Sequence, residues 1–107
     1  MKDESFKEFI LDQLDRLGHV DCRAMFGGHG LYRNGIFFGI ISKSRLYFKT
    51  CETTLPDYRE RGMQPFRPSA KQTLKTYYEV PVDVIEDEDL LAEWARDAEA
   101  SKRNSGK

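Results

Sequence analysis

The sequence has no long apolar run, few cysteines and almost no net charge, and each absence excludes a class of protein. No apolar segment approaches the roughly 20 residues that a membrane-spanning helix requires, so we expect no membrane association. Only two cysteines occur, Cys22 and Cys51, and we expect both to be reduced thiols. With 17 basic and 18 acidic residues, the net charge of -1 gives no overall attraction to nucleic acid.

What is present is typical of one small domain. The chain has 107 residues, of which 39% are hydrophobic and 12% aromatic, and this suffices for a single modest core. The charged N-terminus continues into an amphipathic segment rather than the apolar core of a secretory signal, so we expect a cytoplasmic protein. We assign residues 1–100 to the domain and residues 101–107 to a polar C-terminal tail that frays.

Hydrophobic periodicity predicts an α+β fold. A first helix is expected over residues 4–17, because Ser5 and Glu8 match a capping box and apolar residues follow at helical spacing. That apolar stripe consists of Phe6, Phe9, Ile10, Leu14 and Leu17. Strands are predicted over residues 20–26, 31–33, 36–42, 45–49 and 74–80, with a hairpin turn at Asn34-Gly35.

Two further helices complete the expected architecture. One is predicted from Thr54 to Arg61, and residues 65–68 are expected to be extended or turn-like. The last helix begins near Asp87 and presents a stripe of Leu90, Leu91, Trp94, Ala95 and Ala98. The sequence therefore predicts a two-layer α/β sandwich, in which a mainly antiparallel sheet of about five strands carries its helices on one face.

A ten-residue signature links the chain to a known family. The run Arg23-Ala24-Met25-Phe26-Gly27-Gly28-His29-Gly30-Leu31-Tyr32 resembles the signature of the TfoX/Sxy N-terminal domain family. Later landmarks follow in the family's order, namely Phe38-Gly39-Ile40, Arg45-Leu46-Tyr47-Phe48-Lys49-Thr50, Gly62-Met63-Gln64-Pro65-Phe66, Tyr77-Tyr78-Glu79-Val80-Pro81 and Leu91-Ala92-Glu93-Trp94-Ala95. The resemblance implies a bacterial cytoplasmic protein with a fold similar to YjbR and to type III secretion chaperones.

The resemblance also implies a link to transcription regulation. Named members of the family regulate natural competence as coactivators alongside the cyclic-AMP receptor protein. Competence regulators carry a second, C-terminal domain, whereas this chain ends just past the last predicted helix. It therefore resembles the stand-alone members, whose role is largely unassigned.

We interpret the signature as structural rather than catalytic. Its glycines have neither Walker nor dinucleotide-binding spacing, and they join two predicted strands, so a bulge or sharp turn is favoured over a phosphate loop. The residues given this structural role are Arg23, Met25, Phe26, Gly27, Gly28, Gly30, Leu31 and Tyr32. The two histidines and two cysteines lack the paired spacing of a zinc site, so we predict no catalytic residue, metal or cofactor. A small metal- or ligand-dependent enzyme centred on His29 is the least favoured alternative.

Charge segregates along the second half of the chain. Residues 58–78 carry a local balance of +4, and residues 79–99 carry a local balance of -8. The basic residues form a candidate interaction surface of Arg59, Arg61, Arg67, Lys71 and Lys75. This surface could contact an acidic partner, pair with the acidic last helix, or bind phosphates with nearby aromatic rings stacking on bases.

The favoured hypothesis is a non-enzymatic regulatory or protein-binding module whose partner is unidentified. The alternative is direct nucleic-acid binding through the basic segment 58–78. An exposed sheet edge is compatible with either a monomer or a homodimer.

Overall fold

The computed structural model describes residues 3–25 and 28–105, which form a six-stranded antiparallel sheet and its helices. In chain order the elements are α1 (Asp3–Gln13), a 3-10 helix (Asp15–Leu17), β1 (Asp21–Met25), β2 (Gly28–Arg33), β3 (Ile36–Ser42), β4 (Arg45–Lys49), α2 (Leu55–Glu60), β5 (Pro65–Ser69), β6 (Gln72–Glu79), α3 (Val82–Ile85) and α4 (Glu88–Ser105). The strand order is β1-β2-β3-β4-β6-β5. The predicted α+β fold with a mainly antiparallel sheet is confirmed.

Tight turns join the central strands where the sequence predicts them. Asn34 and Gly35 have φ of 55° and 78°, as a type I′ hairpin turn requires. Lys43 and Ser44 form the next turn, with φ of 51° and 59°. These short connections make β2, β3 and β4 a continuous antiparallel meander.

The main core lies between the sheet and the helices. Leu31, Phe38 and Phe48 project from the central strands and are fully buried. The helices cover them with Phe6, Ile10, Leu14, Leu91, Ala92, Ala95 and Ala98. Leu90 and Trp94, which the sequence places on the buried stripe of the last helix, lie partly buried at the margin of the core.

Asp87 caps the last helix, α4, because its Oδ1 accepts hydrogen bonds of 3.1 Å from the backbone N–H groups of Asp89 and Leu90.

Residues 65–69 form a sixth strand, where the sequence predicts only an extended or turn-like segment. Pro65 and Pro68 have no N–H to donate, which argues against a strand inside a sheet. The strand β5 pairs only with β6 and forms one edge of the sheet, where a missing donor is tolerated.

Several predicted boundaries are wrong. The helix α1 begins before Ser5, which therefore lies within the helix rather than at its cap, and Phe9 is 39% exposed. The helix ends at Gln13, so residues 15–17 form a separate 3-10 helix. β2 begins at Gly28 rather than at residue 31, because Gly28 and its neighbours pair with β1.

The C-terminal helix is longer than expected. It continues to Ser105 and includes residues that the sequence assigns to a fraying tail. Ser101 is 3% exposed, and its hydroxyl donates a 2.8 Å hydrogen bond to the backbone oxygen of Asp97. Among the described residues, no helix combines the length and the apolar character needed to cross a bilayer.

Candidate interaction face

The face of the sheet that turns away from the helices carries a second apolar cluster, built from strand residues alone. Side chains alternate across a strand, so Phe48 enters the main core while its neighbour Tyr47 projects to the other side. The cluster consists of buried Ile40, Phe66 and Tyr77 with partly buried Phe37, Tyr47 and Leu74. No helical residue of the described ranges belongs to it, and we call this surface the helix-free face.

Stacked aromatic rings order the helix-free face. The ring centroids of Tyr32 and Phe37 lie 5.1 Å apart, and those of Phe37 and Tyr77 are also 5.1 Å apart. Tyr47 and Phe66 form a second pair at 4.7 Å. The Tyr77 hydroxyl donates a 3.2 Å hydrogen bond to the backbone oxygen of Phe37, and burial raises the pKa of this phenol. The rings therefore hold one another in place without a covering layer.

Signature residues build one end of the helix-free face. Arg23 lies opposite Gly30 in the β1–β2 ladder, and its guanidinium stands 4.8 Å from the centre of the Tyr32 ring. A Cβ on Gly30 would lie 2.3 Å from the Met25 sulfur and 3.1 Å from a Phe37 ring carbon. The missing side chain of Gly30 thus makes room for the aromatic row, whereas Leu31 projects into the main core.

Gly28 meets backbone rather than side chains. A Cβ on this residue would lie 2.1 Å from the carbonyl oxygen of Ile41 in the neighbouring strand β3. The signature residues Phe26 and Gly27 lie outside the described residues. Gly28 therefore permits the close approach of β2 and β3.

The structure does not gather the histidines and cysteines into a metal site. Across residues 3–25 and 28–105, no group of three or more His, Cys, Asp or Glu side chains could hold an ion. His19 instead contacts Asp21 at 2.7 Å. His29 has a buried Nδ1 that makes no hydrogen bond within the described part of the chain.

The basic segment predicted as one surface is divided into two. Arg61 pairs with Asp83 at 2.8 Å and stands 5.3 Å from the centre of the Trp94 ring, so it is paired within the molecule. Arg59 lies in the last turn of α2, two residues before Arg61. Arg67, Lys71 and Lys75 belong to the β5–β6 hairpin, where all three are exposed. Within this segment, Arg61 is therefore paired inside the molecule, whereas Arg67, Lys71 and Lys75 form an accessible basic surface.

A cleft of about 340 Å³ lies beside the aromatic rings. It is lined by Arg45, Tyr47, Gln64, Pro65, Arg67, Thr73 and Glu79. Arg45 contacts Glu79 at 3.2 Å, and Arg67 donates a 3.3 Å hydrogen bond to the Thr73 hydroxyl. Burial and the nearby Glu79 raise the pKa of Tyr47, which keeps its hydroxyl neutral. Two guanidinium groups beside a phenol can recognise a carboxylate or a phosphate.

The sequence contains a signal for the helix-free face in the alternation of its strands. Tyr32, Phe37, Tyr47 and Tyr77 come from four different strands, and strand pairing with alternation places them on one side. Arg45 was missed because it lies outside the basic segment in the sequence and reaches the cleft only through strand order.

Cys51 lies apart from this face and has an acidified thiol. The nearby Ser101 and Thr53 hydroxyls lower the pKa of Cys51 to about 6. The Cys51 sulfur lies 3.1 Å from the Thr53 Oγ1. The arrangement favours the thiolate at neutral pH.

We expect Cys51 to react with iodoacetamide about fivefold faster than Cys22 at neutral pH, because the thiolate is the nucleophile. The rate is expected to fall as the pH drops through about 6, which mass spectrometry of the labelled cysteines would follow. Thr53→Ala removes the hydroxyl that lies 3.1 Å from the Cys51 sulfur and should slow the labelling of Cys51 alone. Equal rates for the two cysteines would contradict this prediction.

The structure is an antiparallel α+β domain that carries its helices on one face of the sheet and a glycine-rich signature in β1 and β2. These features define the class of protein that the sequence resembles. The family model of the TfoX N-terminal domain matches residues 12–101, and the chain belongs to this family. A curated relative, the DNA transformation protein TfoX1 of Aliivibrio fischeri (strain ATCC 700601 / ES114), is 30% identical over 80 residues. The match covers 73% of this chain and 36% of the relative, so the chain spans little more than a third of the relative's length.

Proposed function

We propose that the domain is a non-enzymatic regulatory module that binds a protein partner on the helix-free face. One observation carries the proposal: signature residues and the basic β5–β6 hairpin, far apart in the sequence, lie on the same sheet face. Tyr32 of the signature reaches Tyr77 of the hairpin through Phe37. The name of the curated relative supports a role in DNA transformation or in the regulation that serves it.

The composition of the helix-free face suits protein binding. Tyr, Phe and Arg are enriched among the side chains that anchor protein interfaces. Tyr32, Phe37 and Tyr47 are partly exposed, yet their rings are already fixed by stacking. Binding therefore costs less side-chain entropy than it would on a mobile surface.

The charge of the helix-free face supports an acidic partner segment. Arg23, Arg45 and Arg67 are exposed at or beside the aromatic rings, and Lys71 and Lys75 extend the basic character along the hairpin. Glu79 is the acidic residue in the cleft, and Arg45 already offsets it. A carboxylate-bearing segment would find two guanidinium groups at the cleft and an apolar surface beside them.

Removal of the cleft arginines is expected to weaken partner capture strongly. The test uses immobilised domain and a lysate of Aliivibrio fischeri, with captured proteins quantified by mass spectrometry at physiological salt. Arg45→Ala combined with Arg67→Ala should reduce the specific partner at least tenfold, since an anchoring arginine contributes about 2 kcal/mol. Arg59→Ala combined with Arg96→Ala removes the same charge from the helical side and should leave capture unchanged. No protein enriched over the cleft variant would overturn the proposal.

Single-stranded nucleic acid is a second candidate, which the stacked aromatic row favours. Bases stack on exposed aromatic rings while neighbouring cations contact phosphates. Fluorescence anisotropy with a labelled single strand and a labelled duplex at low salt would decide between the candidates. Binding that weakens steeply with salt and disappears in the cleft variant would assign the face to nucleic acid. Absence of binding to either probe would remove this candidate.

A further inference from the structure

The strand β1 forms an edge of the sheet. Among residues 3–25 and 28–105 it pairs with β2 alone. Arg23 and Ala24 are both exposed, and alternation points them to opposite sides of the sheet, so neither side of this strand is fully covered. An edge strand of this kind can accept a further strand through its backbone.

The side chains of β1 are sorted by chemistry onto its two sides. Arg23 reaches the Tyr32 ring on the helix-free face, and alternation places Asp21 on the same side. Cys22 packs against the main core on the helical side. The helix-free side of β1 therefore carries one acid and one base, two residues apart.

This charge pattern is complementary to itself in antiparallel pairing. Two copies of a strand paired in this way are related by a twofold axis, so one residue lies opposite its own copy and its neighbours on either side exchange partners. With Cys22 on the axis, Asp21 of each copy lies opposite Arg23 of the other, which gives two attractive pairs.

The other registers of β1 lose this complementarity. With Asp21 or Arg23 on the axis, like charges lie directly opposite each other, which is destabilising. With Ala24 on the axis, Arg23 lies opposite Met25, and no pair of opposite charges forms within β1. Charge therefore selects the register in which Cys22 lies on the axis.

We propose that β1 binds β1 of a second copy of this chain, with Cys22 on the twofold axis. Both helix-free faces would lie on the same side of the joined sheet, and Val20 would come opposite Ala24 on the helical side. The His19 side chain contacts the Asp21 Oδ1 but is 82% exposed, so this contact leaves the carboxylate accessible. The cleft arginines take no part, so the proposal does not depend on the function proposed for the helix-free face.

Charge reversal tests the register. Sedimentation from micromolar to millimolar concentration should show a dimer, and Asp21→Arg should raise its dissociation constant at least tenfold, because both attractive pairs become repulsive. Asp21→Arg combined with Arg23→Asp exchanges the two charges within each copy and should restore the dimer. Glu60→Arg makes the same change in net charge at an exposed position of α2 and should leave the dimer unchanged.

The outcomes of this experiment are distinct from those of partner capture. Arg45→Ala combined with Arg67→Ala should dimerise like the unchanged domain, whether or not it captures a partner. The amide spectrum of each variant confirms that it is folded. A domain that stays monomeric throughout, an Asp21→Arg variant that dimerises normally, or an exchanged pair that fails to restore the dimer would overturn the proposal.

Disulfide trapping tests the same register without altering the charges. In Cys51→Ser, Cys22 is the single cysteine, and oxidation by dissolved oxygen with copper phenanthroline should link two copies. Each link forms from two thiols, which pass two electrons to oxygen and release two protons. Cys22→Ser with Ala24→Cys in that background moves the thiol to a position opposite Val20 and should link at least tenfold more slowly. Faster linking at position 24, or no linking of Cys22, would overturn the proposal.

Discussion

Replacement of Gly28 by alanine is expected to destabilise the domain by about 3 kcal/mol, at the upper end for overpacking of a tight site. The added Cβ would lie 2.1 Å from the Ile41 carbonyl oxygen, so β2 and β3 must separate or shift. The backbone of β3 cannot give way as a side chain does, because it is paired with strands on both sides. Urea denaturation followed by circular dichroism would measure the loss.

Gly30→Ala is the matched control, since it adds the same methyl group to the same strand. Its Cβ would approach the Met25 sulfur at 2.3 Å, but this is the flexible end of a side chain that can rotate away. We expect a cost of about 1 kcal/mol, because the Phe37 and Tyr32 rings must still adjust slightly. If Gly28→Ala is no more destabilising than Gly30→Ala, the close strand approach is not what requires glycine at position 28.

Arg33→Leu is expected to cost about 3 kcal/mol, because it removes the Arg33 cation from beside a buried carboxylate. The Arg33 guanidinium contacts Glu99 at 2.5 Å, and the Glu99 side chain is only 4% exposed. Arg33 also donates a 3.0 Å hydrogen bond to the backbone oxygen of Leu17. This side chain therefore joins the sheet, the end of the first helical region and the C-terminal helix.

The double variant Arg33→Leu with Glu99→Leu separates charge pairing from packing. Replacement of both partners by apolar groups also removes the buried carboxylate that loses Arg33, so we expect it to recover more than half of the lost free energy of unfolding. Denaturation midpoints of the two single variants and the double variant complete the cycle. Additive losses in the double variant would show that Arg33 and Glu99 are not energetically coupled.

Local signals in the sequence predict the central sheet well. Asn34-Gly35 requires positive φ at two successive residues, and few alternatives to a hairpin satisfy that requirement. The strand β3 is recognisable because an apolar run of this length is buried on both sides, by the main core and by the aromatic cluster. The signature was sufficient to predict the family, which the match over residues 12–101 confirms.

Features that depend on tertiary position were not predictable in the same way. β5 was missed because prolines disfavour a strand in general, and only the strand order reveals that this one lies at an edge. The short helix α3 has four residues, too few to show a helical period. Exposure of Phe9 depends on how far the neighbouring elements extend, which its place in the apolar stripe of α1 does not reveal.

The candidate site also depends on tertiary position, which local sequence signals do not reveal. Adjacent basic residues suggested one surface, but the chain reverses between Arg61 and Arg67, and a salt bridge to Asp83 removes Arg61 from it. The helix-free face instead draws its residues from strands that are neighbours in the sheet but separated in the chain by α2. A count of charges within a sequence window cannot represent such a surface.

The two edges of the sheet differ in their ability to accept another strand. β5 carries two prolines within five residues, whereas β1, at the opposite edge, carries none. A filament that forms by strand addition needs two edge strands per subunit that can each pair with a strand of a neighbouring copy. The described strands offer one such edge, β1, so we expect strand addition between copies to stop at a symmetric pair.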